Sequence, residues 1–195
     1  MGEERTEKQT EQAEQAEADD TRAAAEKCYD WISSLVGALV VVAIVFAFLF
    51  RIATVSGESM TDTLQNGDRI VMVSLFYRLD RGDIVIINRH NDEPLVKRVI
   101  ALAGDTIEFD DETGKITLNG VVQEESYVRG GHTGSFECET PYTVPEGCFF
   151  AMGDNRDGSK DSRMLGAFSV EDVAGVAVLR LFPLGSFGRI GNENG

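Results

Sequence analysis

A chain of 195 residues has room for one domain plus appendages, and a formal net charge of −15 argues against a nucleic-acid-binding surface, which needs a basic patch. The charge is uneven: residues 1–30 hold ten acidic side chains against four basic ones. That segment is rich in Glu, Gln and Ala and cannot bury a core, so it reads as a mostly disordered acidic tail with transient helix.

Residues 31–50, "WISSLVGALVVVAIVFAFLF", follow without a single charge. Twenty residues rising ~1.5 Å each span about 30 Å, the thickness of a bilayer's hydrocarbon core. A buried helix of a globular domain would keep a polar face, and a signal peptide would begin basic with a shorter apolar centre. The run therefore reads as a single transmembrane helix. Its orientation is hard to read from charge, because Arg22 and Lys27 precede it while Arg51 and Arg69 follow it.

From residue 51 to 195 short strands alternate with turns. The runs 69–76, 83–88, 95–102, 106–110, 115–119, 148–152 and 173–182 carry the β-branched and aromatic enrichment of sheet segments. "DETG" and Asn119-Gly120 are hairpin signals, the second of type I′, and a short helical possibility lies around 169–173. The expected fold class is mainly β: an antiparallel β-rich domain behind one N-terminal membrane helix. Apolar patches at Leu75-Phe76-Tyr77 and at Leu181, Phe182, Leu184 and Phe187 suit either a bilayer interface or strand ends in the core. Cys28 precedes the span. Cys138 and Cys148 lie beyond it, either bridged, if that part is outside the cell, or as buried free thiols. With no CxxC or His/Cys cluster, no metal or other cofactor is expected.

Ser59, in "VSGESMTDTLQNGD", poses the chemical question, because a serine hydroxyl attacks nothing at neutral pH without a base. His90 and His132 both lie in polar, loop-like surroundings. In "EPLVKRVIALAGD", strand alternation puts Lys97 and Arg98 on opposite faces, so one of the two cations meets apolar neighbours. Burial disfavours an ammonium ion, which is how a lysine becomes a base; the alternative is that both charges reach solvent from an edge strand.

Four segments, in order, resemble the type I signal peptidases: "SGESMTDTLQNGD", "RGDIVII", "LVKRVIALAGDTIEF" and "AMGDNRDGSKDSRMLG". The resemblance implies a membrane-anchored serine protease with a Ser–Lys dyad, Ser59 as nucleophile and Lys97, 38 residues on, as general base. It further implies Ser159 as the hydroxyl that orients the lysine amine, and Asp161 with Arg163 as an ion pair stiffening the site. The implied partners are the signal peptides of exported preproteins and the lipid bilayer. The implied topology has the tail in the cytoplasm and the catalytic domain outside, beside the exit of the secretion channel. Gly57, two residues before Ser59, resembles the Gram-positive-type members and offers no side-chain donor to an oxyanion. Asp62 stands where the family usually has proline, and its charge near Ser59 would favour protonated Lys97. Two other classes compete: a weakly active or non-catalytic surface β-domain that binds extended peptides, and a soluble self-cleaving repressor, which would need a DNA-binding motif and no anchor.

Overall fold

Glu, Gln, Ala and Lys are strong helix formers, and a helix already nucleated in an apolar run gains one hydrogen bond for each residue added. In the computed structural model, which describes residues 3–75, 77–90, 92–128 and 132–191, helix α1 accordingly runs unbroken from Glu3 to Leu49. The acidic segment is thus helical where the sequence suggests a disordered tail. Within α1, Lys27–Leu49 is long and apolar enough to cross a membrane, with a mean hydropathy of 2.8 and none of its surface buried in the protein. The helix stops one residue short of the expected end, because Phe50 opens the first strand.

Two antiparallel sheets form the unit that begins at Phe48. The larger contains β1 (Phe50–Thr54), β2 (Arg69–Val73), β3 (Ile84–Arg89), β4 (Asp92–Leu102), β9 (Cys148–Met152), β10 (Phe168–Ser169), β11 (Val173–Phe182) and β12 (Gly188–Arg189). Its order is β1-β2-β11-β3-β4-β9-β10, with β12 paired to β11. The smaller has the order β7-β6-β5-β8, from β5 (Thr106–Asp110), β6 (Lys115–Leu118), β7 (Val121–Val122) and β8 (Tyr142–Thr143). Asn119 and Gly120 take φ values of 50° and 80°, the two positive φ values that a type I′ turn requires.

Strand alternation builds the core. Ile100, Phe150 and Met152 of the large sheet pack on Ile107, Phe109, Ile116 and Leu118 of the small one, fastening the two together. A second cluster joins Ile70, Met72, Ile84 and Ile86 to Val55, Met60 and Leu64, so the turn after β1 is plugged into the core. Cys138 and Cys148 are free, half-buried thiols packed against the cluster between the sheets. Of the two apolar patches, the first turns inward at Tyr77, whose hydroxyl donates to the Val173 carbonyl at 3.1 Å; Phe76 lies outside the described residues. In the second, Phe182, Leu184 and Phe187 are exposed. The short helical stretch expected near 169–173 is a 3-10 turn at Val170–Asp172.

Candidate active site

The turn between β1 and β2 holds Ser59. Its base is closed by the Val55 N–H on the Asp68 carbonyl (2.8 Å) and the Gly67 N–H on the Val55 carbonyl (2.9 Å). Gly57 adopts φ +90°, where a side chain would be strained, and donates its N–H to Asn66 Oδ1 at 3.1 Å. Met60 and Leu64 anchor the far side in the core, and Arg180 from β11 reaches across to the Thr63 carbonyl (2.6 Å) and to Asp68 (3.3 Å). Ser59 is left half-buried on a pinned turn.

The segment after β9 grips this turn from the other side. The Asn155 N–H donates to the Ser59 carbonyl at 3.0 Å, and its side-chain amide donates to the Glu58 carbonyl at 3.1 Å. Gly153 lies so close that a Cβ there would overlap both the Ser59 carbonyl oxygen and the Ser159 hydroxyl. Ser59 and Ser159 thus flank one backbone position. The Ser159 hydroxyl is buried without a hydrogen bond of good geometry, although it lies near enough to Asp161 to help keep that carboxyl ionised.

Lys97 sits in β4 opposite Val85, only 2 % exposed. The expectation that one of the two neighbouring cations turns inward understates the result, since Arg98 is also buried, at 4 %. The two are accommodated differently. Arg98 makes a bidentate pair with Asp154 (2.9 and 2.7 Å) and donates to the Gly82 carbonyl at 3.0 Å. The Lys97 amine donates no hydrogen bond among the described residues. Burial pulls it down from the ordinary 10.5 to about 8, against the attraction of Asp161 and Asp154 and with help from Arg163. Asp62 is exposed, and the charges that act on Lys97 are Asp161, Arg163 and Asp154.

Asp161 and Arg163 form the expected pair, at 2.9 and 3.0 Å, both buried. Asp161 also caps the short helix α2 (Ser162–Leu165) through the Arg163 N–H and accepts the Gly153 N–H at 3.1 Å. These bonds hold its carboxyl below the usual range despite burial, which alone would raise it. Ser59 and Ser159 therefore meet at Gly153, and the same segment, 153–163, supplies the Asp154, Asp161 and Arg163 charges that act on Lys97. His90 and His132 are exposed, and neither bonds to Ser59 or Lys97 among the described residues. No His, Cys, Asp and Glu group suited to a metal occurs among the described residues either.

The strand beside Lys97 has an open edge. β4 pairs with β3 from Asp92 to Arg98, and β9 joins its other side only from Arg98 onward, which leaves Asp92–Lys97 unpaired on that side among the described residues. Val99 exchanges bonds with Gly82 and Asp83 on the β3 side, so alternation aims the Val96 N–H and C=O outward at the vacant edge. Asp154, Arg156, Arg180, Glu125 and Tyr127 also serve this region, and sequence reasoning gave them no role. The first two lie inside the "GDNR" motif, Arg180 lies in the run 173–182, where the pattern marks a strand and no site, and Glu125 and Tyr127 sit in stretches with no distinguishing pattern.

Comparison with known proteins gives the family of the chain. Residues 28–182 match the model of the family described as signal peptidase, peptidase S26. Signal peptidase IB of Staphylococcus aureus (strain Mu50 / ATCC 700699) is 31 % identical over 176 residues, covering 81 % of this chain and 91 % of the relative. Signal peptidase I P of Bacillus subtilis subsp. natto is 38 % identical over 168 residues, covering 80 % and 89 %. A crystal structure of a signal peptidase I from Enterococcus faecalis V583 shares 33 % identity, spans 51 % of this chain and 97 % of that one, and superposes with a TM-score of 0.44. With a family match across most of its length, the chain belongs to the signal peptidases of the peptidase S26 family.

Proposed function

We propose that this protein is a membrane-anchored serine endopeptidase that removes signal peptides from exported preproteins, with Ser59 as nucleophile and Lys97 as general base. The observation that carries the reading is Lys97 itself. Its side chain is buried, donates no hydrogen bond among the described residues and is held near 8, and the charges that act on it, Asp161, Arg163 and Asp154, belong to the segment that also grips the Ser59 turn. A structural lysine would be paired, as Arg98 is.

Neutral Lys97 takes the proton from the Ser59 hydroxyl as its oxygen attacks the scissile carbonyl. The oxyanion meets the Ser59 backbone N–H, which donates to nothing else among the described residues. Gly57 has no side chain to add, and its own N–H is engaged by Asn66. Lysine then passes its proton to the leaving amine, and the acyl-enzyme is hydrolysed by a water that the same amine deprotonates. Ser159, whose buried hydroxyl makes no hydrogen bond of good geometry, orients the amine, while Asp161 and Arg163 stiffen the surroundings. The substrate adds as a strand along the open edge of β4. By family analogy the acidic N-terminal part faces the cytoplasm and the β-rich unit lies outside, beside the membrane and the secretion channel.

Cleavage of a preprotein with small residues at the first and third positions before the cut, by the full chain in detergent, tests this. Ser59→Ala and Lys97→Ala should each abolish it. Below about pH 8 the wild-type rate should fall about tenfold per pH unit as the amine gains its proton. Cleavage that survives either substitution, or a rate flat through that range, would refute the lysine-base reading.

A further inference from the structure

We infer that Glu125 and Tyr127 form a brace tying the strand that carries Lys97 to the loop that holds Ser59, and that both are positioning residues for the cleavage proposed above, on which this inference rests. Neither belongs to any of the four motif segments. Both come from the connection between β7 and β8 of the small sheet.

The brace can be followed bond by bond. The Tyr127 ring lies under the Arg98 guanidinium, 4.0 Å from its carbon, and Arg98 is the immediate neighbour of Lys97 in β4. The Tyr127 hydroxyl donates to Glu125 Oε1 at 2.9 Å. Glu125 in turn accepts both Nη1 and Nη2 of Arg156, at 2.9 and 2.6 Å. Arg156 donates Nε to the Gly153 carbonyl at 3.0 Å, and its own carbonyl accepts Arg163 Nη2 at 2.6 Å. Gly153 is the residue wedged between the Ser59 carbonyl and the Ser159 hydroxyl. One carboxylate therefore reaches both halves of the dyad: through Tyr127 to the lysine strand, and through Arg156 to the serine loop.

The charges make the brace necessary rather than decorative. Arg98 and Arg163 each have an aspartate from the motif segment after β9, at 154 and 161. Arg156, 1 % exposed, has none from that segment, and Glu125 is its ion-pair partner. A buried guanidinium that loses its counter-charge moves toward water or other acceptors. For Arg156 that movement would release the Gly153 carbonyl and so disturb the oxygen atoms of Ser59 and Ser159. Thr133, which accepts Arg156 Nη1, supplies a dipole but no charge.

Steady-state cleavage by the full chain in detergent tests this with Glu125→Gln, Tyr127→Phe and the double variant. Misplacing reacting groups by a fraction of an ångström costs roughly 10- to 100-fold. We expect Glu125→Gln to lose that much in kcat with KM nearly unchanged, because the peptide docks on the β4 edge and not on the brace. Tyr127→Phe keeps the ring under Arg98 and loses one hydroxyl, so it should fold like the wild type and lose a few-fold in kcat. The double variant should be no slower than Glu125→Gln alone, since both act through one chain of contacts. Tyr127→Phe also decides the matter if Glu125→Gln does not fold. Wild-type kcat in Tyr127→Phe, or a Glu125→Gln defect confined to KM or to melting temperature, would overturn the brace. Active wild type beside inactive Ser59→Ala would leave the proposed function standing in either case.

Discussion

Holding an amine near 8 inside a protein costs stability. Lowering Lys97 from 10.5 to about 8 destabilises its charged form on the order of 3 kcal/mol. Between those values the folded chain binds fewer protons than the unfolded one, so this group makes the protein more stable as pH rises from about 8 toward 10.5, and its cost is complete below that window. Lys97→Met fills the same space without a charge and leaves the Arg98–Asp154 and Arg163–Asp161 pairs intact. It should be more stable than the wild type at pH 7, by up to about 3 kcal/mol, while cleaving nothing. Denaturant unfolding at pH 7 measures this, and a less stable variant would mean that the amine has favourable partners. The need for a base near Ser59 was legible in the residues themselves, and the motif segments pointed to Lys97. The burial of Arg98 was not legible, because its counter-ion, Asp154, is 56 residues away in sequence and meets it only through the pairing of β4 with β9.

Among the elements, β4 does two things along its length. Its N-terminal part, from Asp92 to Lys97, pairs with β3 alone among the described residues, and from Arg98 onward it pairs with β9. A peptide bound there would take the Val96 N–H as a donor. Val96→Pro removes that donor from an edge the fold itself does not use, and proline is tolerated on edges. The loss of one hydrogen bond of about 1 kcal/mol should raise KM about fivefold, beside a lower melting temperature from the Val96 packing that is lost against the core. An unchanged KM would move the peptide elsewhere. How well each element could be read from sequence follows its length. β9 and β11 occupy the runs "CFFAM" and "VAGVAVLRLF", which are apolar but for Arg180 and are bounded by turn signals. β8, β10 and β12 are two residues each, too short to show a period, and α2 is four. β1 was hidden for another reason: Phe50 continues the apolar run of α1, and hydropathy alone cannot mark where a helix becomes a strand.

At the scale of the whole molecule that same boundary decides where the chain can be cut. A chain lacking residues 1–49 keeps β1, which covers the outer edge of β2 along its full length. A chain lacking residues 1–54 loses those five paired residues and bares β2 as an edge. The first should stay folded and soluble in mild detergent; the second should melt lower and aggregate, as calorimetry and light scattering would report. Equal behaviour would mean that β1 contributes little to the sheet. The three buried ion pairs of the site, Arg98–Asp154, Arg156–Glu125 and Arg163–Asp161, have a different consequence. Each guanidinium is buried and matched by one carboxylate, so these pairs add nothing to the net −15 and are little screened, whereas exposed charges farther apart than about 8 Å are muted at physiological ionic strength. Added salt should therefore alter how a charged preprotein finds this protein and leave the bond-breaking step nearly indifferent to it.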